Sequence, residues 1–282
     1  MLTVSNGQTQ ARISNMKKFI ITILILLGVA ISFNSPVICQ ATRTITKTID
    51  LPLDGMVSID TYKGSITVIT WDNPKVEIIA EIEADGEGDY EEEKVYDTEI
   101  KIRERKNEVA IITDYDRVHD HHSWFFDWFG VNSGSMPFVH YRISMPVTAS
   151  LKIKDYKSDT KITDLKSSLT METYKGSVIV QRFEGAIDLE TYKGDVEVHI
   201  AQLADDSKFE TYKGDIEIFI PEKNSVTIDA VLGRRVEFDS DFDIQFKRQS
   251  RHDKRILNDL NGGGKVIKLR SEKGNIRLLK QR

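Results

Sequence analysis

Thr173-Tyr174-Lys175-Gly176-Ser177-Val178-Ile179-Val180 is followed by Thr191-Tyr192-Lys193-Gly194-Asp195-Val196-Glu197-Val198 and by Thr211-Tyr212-Lys213-Gly214-Asp215-Ile216-Glu217-Ile218. The same four-residue motif stands earlier at Thr61-Tyr62-Lys63-Gly64. Degenerate copies occur at Asp155-Tyr156-Lys157-Ser158 and Ser271-Glu272-Lys273-Gly274. The tyrosines at 156, 174, 192 and 212 are 18, 18 and 20 residues apart. A short fixed period marks a repeat architecture.

Each repeat reads as two short strands and two turns. Leu169-Thr170-Met171-Glu172-Thr173 alternates apolar with polar residues, as do Ile187 to Thr191, Val196 to Ile200 and Ile216 to Ile220. Period-two alternation of β-branched residues broken by glycine is a strand signal. The inward set Leu169, Met171, Thr173 has one parity and Val178, Val180 the other, so the turn shifts the phase, and the glycine is expected to supply the backbone freedom for it. The mature chain shows no convincing amphipathic helix.

The fold class expected is therefore all-β: a β-solenoid, or β-helix-like repeat, with about 18–20 residues per repeat. The competing arrangement is an antiparallel β-meander sandwich. In a solenoid equivalent residues stack one strand spacing apart. Tyr174, Tyr192 and Tyr212 then form a ladder, and the Glu172, Glu190, Glu210 row runs beside Lys175, Lys193, Lys213. A calcium β-roll is not expected, because Gly194-Asp195 and Gly214-Asp215 lack the tandem glycines of that motif.

Further strands are expected at 44–51, 56–61, 65–70, 75–83, 95–105, 108–115, 138–145, 265–270 and 275–279. The domain organisation expected is a leader and secretory signal peptide over residues 1–41, then one β-repeat domain over 42–282. That domain carries an aromatic, histidine-rich insertion near 116–137. Lys17-Lys18, the apolar run Phe19 to Phe33 and Cys39-Gln40-Ala41 have the layout of a signal peptide. The apolar run is short for a membrane span. Cleavage after Ala41 removes Cys39, the only cysteine. The alternative is lipidation at Cys39. Either route places the protein outside the cytoplasm, in the periplasm or on the cell surface. The 282 residues carry 39 Lys or Arg and 44 Asp or Glu. An acidic balance does not suit a general nucleic-acid binder. Between Lys247 and Arg282, however, the cations outnumber the acids Asp253, Asp259 and Glu272.

The run Gly64-Ser65-Ile66-Thr67-Val68-Ile69-Thr70-Trp71-Asp72-Asn73-Pro74-Lys75-Val76-Glu77-Ile78 resembles the opening repeat of the bacterial putative-adhesin domain group. These are exported domains of unknown function. The later Gly-Asp-Val-Glu-Val and Gly-Asp-Ile-Glu-Ile strands resemble that group too. The resemblance implies a β-helix-like fold in the envelope and transfers no catalytic residues. The aromatic insertion departs from the group's pattern.

Recognition residues are expected in two places. Trp124, Phe125, Phe126, Trp128 and Phe129 crowd the insertion, and loops between strands carry recognition. Tyr174, Tyr192 and Tyr212 form the second set. His119, His121, His122 and Asp116 or Asp120 are metal-ligand types, but no separated second pair supports a site, so no metal and no cofactor are expected. No Gly-x-Ser-x-Gly elbow, His-Glu-x-x-His helix or phosphate-binding glycine loop is present, and no enzyme is expected. The function expected is an adhesin-like binding or structural protein of the envelope. Its partner would be an envelope protein, a polysaccharide or a membrane surface. The alternatives are a carbohydrate-active enzyme on a β-helix and a membrane-associated envelope assembly or stress factor.

Overall fold

Strands with one apolar edge per repeat must bury that edge, and stacking the repeats does so. The computed structural model describes residues 40–120, 135–244 and 254–281. The expected signal peptide and Cys39 lie outside them. Residues Gln40–Arg282 form a compact unit of their own.

Nineteen strands and two helices occur among the described residues. The first stretch holds β1 (Thr42–Asp50), β2 (Met56–Asp60), β3 (Lys63–Trp71), β4 (Lys75–Glu83), helix α1 (Asp89–Asp97), β5 (Glu99–Arg105), β6 (Glu108–Asp114) and helix α2 (Asp116–Asp120). The repeats follow as β7 (Phe138–Pro146), β8 (Ser150–Thr163), β9 (Leu169–Lys175), β10 (Val178–Gly185), β11 (Ile187–Thr191), β12 (Val196–Leu203), β13 (Ser207–Thr211) and β14 (Ile216–Pro221). The chain ends with β15 (Val226–Leu232), β16 (Phe238–Ser240), β17 (Lys254–Leu260), β18 (Lys265–Ser271) and β19 (Ile276–Gln281).

The strands join into one curled sheet with two faces. On the first face β6, β2, the first half of β8, β9, β11, β13, β18 and β15 pair in parallel, in that order. On the second face β7, β3, the second half of β8, β10, β12, β14, β19 and β16 do the same. Each coil gives one strand to each face, which is the solenoid. Parallel pairing of Leu189 with Met171 and with Phe209 excludes the meander. The inward parity read from sequence holds: Leu169, Met171, Thr173, Val178 and Val180 are all buried.

Space does not follow sequence at the two ends. The coil of β6 and β7 stacks outside the earlier coil of β2 and β3. At the other end β18 and β19 slip between β13–β14 and the earlier β15–β16. Antiparallel strands close the stack: β5 on β6, β4 on β7 with β1 on β4, and β17 on β15. The outer strands are rich in Thr, Glu, Lys and Arg, which blunts pairing with other chains.

Helix α1 corrects the reading of a strand from residue 95, since β5 begins at Glu99. Its first turn carries Asp89, Glu91 and Glu92, which suits the positive end of a helix. Lys94 is buried and holds Glu91 at 2.6 Å. Short-range charge placement decided this element, and its apolar periodicity is too weak to show it.

The role assigned to glycine also changes. Gly64 and Gly176 do take positive φ, at 137° and 110°. Gly194 does not, yet a Cβ there would fall on the carbonyl oxygen of Gly176 in the next coil. The recurrent demand is close approach of backbones. Gly194→Ala should therefore force two coils apart and cost roughly 2–4 kcal/mol. Chemical denaturation checks this, and an unchanged midpoint would show that the coils part freely.

Candidate functional site

Parallel pairing in register turns each motif position into a row. Tyr62, Tyr156, Tyr174, Tyr192 and Tyr212 stack face to face, with successive centroids 4.7–4.8 Å apart and planes within 8°. Tyr62 joins although 94 residues separate it from Tyr156, because β3 and β8 are neighbours. The edge of Tyr115 meets Tyr62 at one end, and Lys273 donates to the Tyr212 hydroxyl at 2.8 Å at the other. That lysine lowers the Tyr212 pKa.

The other motif positions have separate duties. The Thr191 hydroxyl accepts from Gly194 N–H at 2.9 Å, and the Thr211 hydroxyl donates to the Gly214 carbonyl at 2.9 Å, so the first residue closes the corner. The lysine ammonium lies beside the stacked rings: Lys193 is 5.4 Å from the Tyr192 centroid and 5.6 Å from that of Tyr174. This is cation–π range. The residue after glycine supports the next coil, since Asp195 accepts the Asp215 N–H at 2.9 Å and Asp215 accepts that of Asn275 at 2.7 Å. That duty, and not calcium, explains the Gly-Asp pairs.

The tyrosine row divides the acid row from the lysine row. The expected offset of Glu172, Glu190 and Glu210 by Lys175, Lys193 and Lys213 is therefore replaced by cation–π contact of the lysines with the rings. Glu210 instead meets Lys208 at 3.2 Å and Arg270 at 3.5 Å. Glu172 and Glu190 have no ion-pair partner among the described residues.

Between the acid row and the tyrosines runs an open groove of about 580 Å³. Thr173, Thr191, Thr211 and Asp155 line it below, Tyr174, Tyr192 and Tyr212 on one side, and Glu172, Glu190 and Glu210 on the other. Lys154, Arg270 and Glu272 complete it. It thus brings together the three tyrosines singled out from sequence. Their ring faces cover one another, so a ligand meets edges and hydroxyls. The glutamates beside them form the opposite wall. Trp124, Phe125, Phe126, Trp128 and Phe129 lie outside the described residues, as do His121 and His122.

A smaller hollow of about 230 Å³ lies on the second face. Its acids are occupied: Glu217 pairs with Arg277, Glu197 with His199, and Asp195 and Asp215 with the backbone. The basic C-terminal stretch is likewise engaged, through Arg270 with Glu210, Lys265 with Asp205 and Lys280 with Glu222.

Asp155 stands where the other copies carry threonine or serine. Burial pushes its carboxyl up to about 6, against the Ser158 N–H that favours the charge. Its Oδ2 accepts the Ser158 N–H at 2.6 Å.

The chain belongs to the Toastrack DUF4097 family, whose model matches residues 131–279, more than half of its length. This bears out the resemblance to the putative-adhesin domain group. No curated protein matches the chain. A solved putative cell adhesion protein from Clostridium sporogenes is similar at 10% identity and TM-score 0.47, over 85% of this chain and 100% of that one. A putative adhesin from Bacteroides fragilis is similar at 14% identity and TM-score 0.41, over 85% and 97%. A putative lipid binding protein from Parabacteroides distasonis reaches 10% identity and TM-score 0.28, over 85% and 97%. These likenesses carry no inference about a ligand.

Asp155 gives a pH prediction. The native carboxyl holds its proton to about pH 6, whereas an unfolded one releases it near 3.9. The native state binds more protons in that window, so stability falls as pH rises through it and the deficit is complete above about pH 6. Asp155→Thr should raise stability at pH 7 by about 3 kcal/mol and change it little at pH 4. Thermal unfolding at both values checks this; an equal gain at both would assign the effect to packing.

Proposed function

We propose that this chain is a non-catalytic binding or structural protein of the cell envelope, exported by the leader of residues 1–41. A rigid stack of coils presents one face to a partner. The observation that carries this reading is the groove walled by the tyrosine ladder and the glutamate row, repeated without interruption over consecutive coils. Its walls stand on strand ends and on the short corners between them, so its geometry persists through the stability of the stack.

A carbohydrate-active enzyme would draw on Asp155 as an acid beside Glu172. Asp155 is better accounted for as a motif residue that closes its own corner. A polysaccharide hydrolysis present in the wild-type chain and lost in Asp155→Thr would establish the enzyme instead. The membrane-associated alternative rests on Trp124 and Trp128.

The test is capture from envelope extract by the wild-type chain and by Glu172→Lys/Glu190→Lys, both shown folded by circular dichroism. Loss of a discrete captured component in the variant is expected. Equal capture would remove the groove from the reading, and a variant lacking residues 117–136 would then show whether the aromatic insertion is the display element. Fractionation of cells expressing the chain with and without residues 1–41 checks export.

A further inference from the structure

We propose that the groove binds a short linear oligoamine whose ammonium groups are separated by three methylenes. The inference deepens the display reading and rests on it. Glu172, Glu190 and Glu210 are direct register partners on β9, β11 and β13. The coil repeat measured along the tyrosines is 4.7–4.8 Å. Like charges stacked in this way repel, and among the described residues no cation lies within ion-pair distance of Glu172 or Glu190.

A second observation lies below the row. Asp155 is only 7% exposed, lines the groove, and its Oδ1 has no hydrogen-bond partner. The nearby Thr173 hydroxyl gives its proton to the Lys175 carbonyl at 3.0 Å. A buried carboxylate oxygen without a donor favours an added cation. Its raised pKa has the same origin.

The spacing selects the class of cation. Two ammonium groups joined by three methylenes are four single bonds apart, or about 5 Å in a staggered chain. That matches one coil, so successive ammoniums meet successive carboxylates. Lys154 and Arg270 occupy the same row beyond Glu172 and Glu210. They limit the acidic run to a few coils, which suits a short oligoamine and not a long polycation. Tyr174 and Tyr192 offer ring edges to the methylenes and hydroxyl oxygens to N–H donors. A sugar stacking on an aromatic face finds none free within the ladder.

The experiment is calorimetric titration of the chain from Gln40 with bis(3-aminopropyl)amine and with bis(hexamethylene)triamine. The two carry equal charge, but the second spaces its ammoniums about 9 Å apart. The short triamine should bind at least about tenfold more tightly, and Glu190→Gln should weaken it about tenfold without lowering the melting temperature. Lys193→Gln, on the row beyond the tyrosines, should not weaken it. Equal affinity for the two triamines, or no binding of the short one, overturns the proposal. If the triamine fails while capture from envelope extract still depends on Glu172 and Glu190, the oligoamine falls and the display reading stands. If capture is also indifferent to those residues, the display reading falls with it.

Discussion

The distance between parallel coils governs this molecule. Backbone hydrogen bonds hold neighbouring strands near 4.8 Å, and at the corners the approach is closer still, because glycine leaves no Cβ above the next carbonyl. Once that distance is fixed, every motif position becomes a row at the same spacing. Tyrosines then fall into stacking range, and each stacked pair adds roughly 0.5–1.5 kcal/mol beyond its buried area. The lysines acquire rings to lie beside, and the aspartates after glycine reach the amides of the next coil. One constraint thus accounts for four residue choices in the motif.

The same constraint creates a difficulty with charge. Identical residues in register bring like charges together. The lysines lie beside the tyrosine stack, and the aspartates escape by accepting backbone N–H groups. On the outer surface the relief comes from elsewhere in the chain. The basic strands β18 and β19 dock beside the acidic copies β13 and β14, setting Arg270 against Glu210 and Arg277 against Glu217. This explains why the cations crowd the C-terminal segment. It also explains why the last motif copy is interpolated out of sequence order: placed there, its charges complement those of the coil before it.

Much of the architecture was legible in the sequence, because the repeat encodes both the period and the burial parity. Leu169, Met171, Val178 and Val180 could be assigned inward from alternation alone. The order of the coils was not legible. Nothing local in Thr61-Tyr62-Lys63-Gly64 says that it will stack on residues 155–158, since the intervening coil of β6 and β7 leaves on the far side. Lys63 marks the difference: it turns away from the ladder, is buried, and pairs with Asp85 at 2.8 Å while lying over Phe138. Burial alone would raise the Asp85 carboxyl, but Lys63, Ser135 and Lys157 together hold it below its ordinary value. Helix α1 was missed for a related reason, as its apolar contribution is little more than Val95.

The groove was half legible. The tyrosines drew notice as stacked aromatics, and the glutamates only as a row beside the lysines. Stacking reverses the emphasis. A ladder hides its faces and keeps only edges, so the tyrosines become a wall, and the chemistry passes to the carboxylates opposite. Among the described residues, two of those carboxylates lack the ion-pair partner that Arg270 gives to Glu210. In a fold that relieves like charges row by row, the pair left unrelieved, above a buried and incompletely satisfied Asp155, is where a cation from outside the chain gains most.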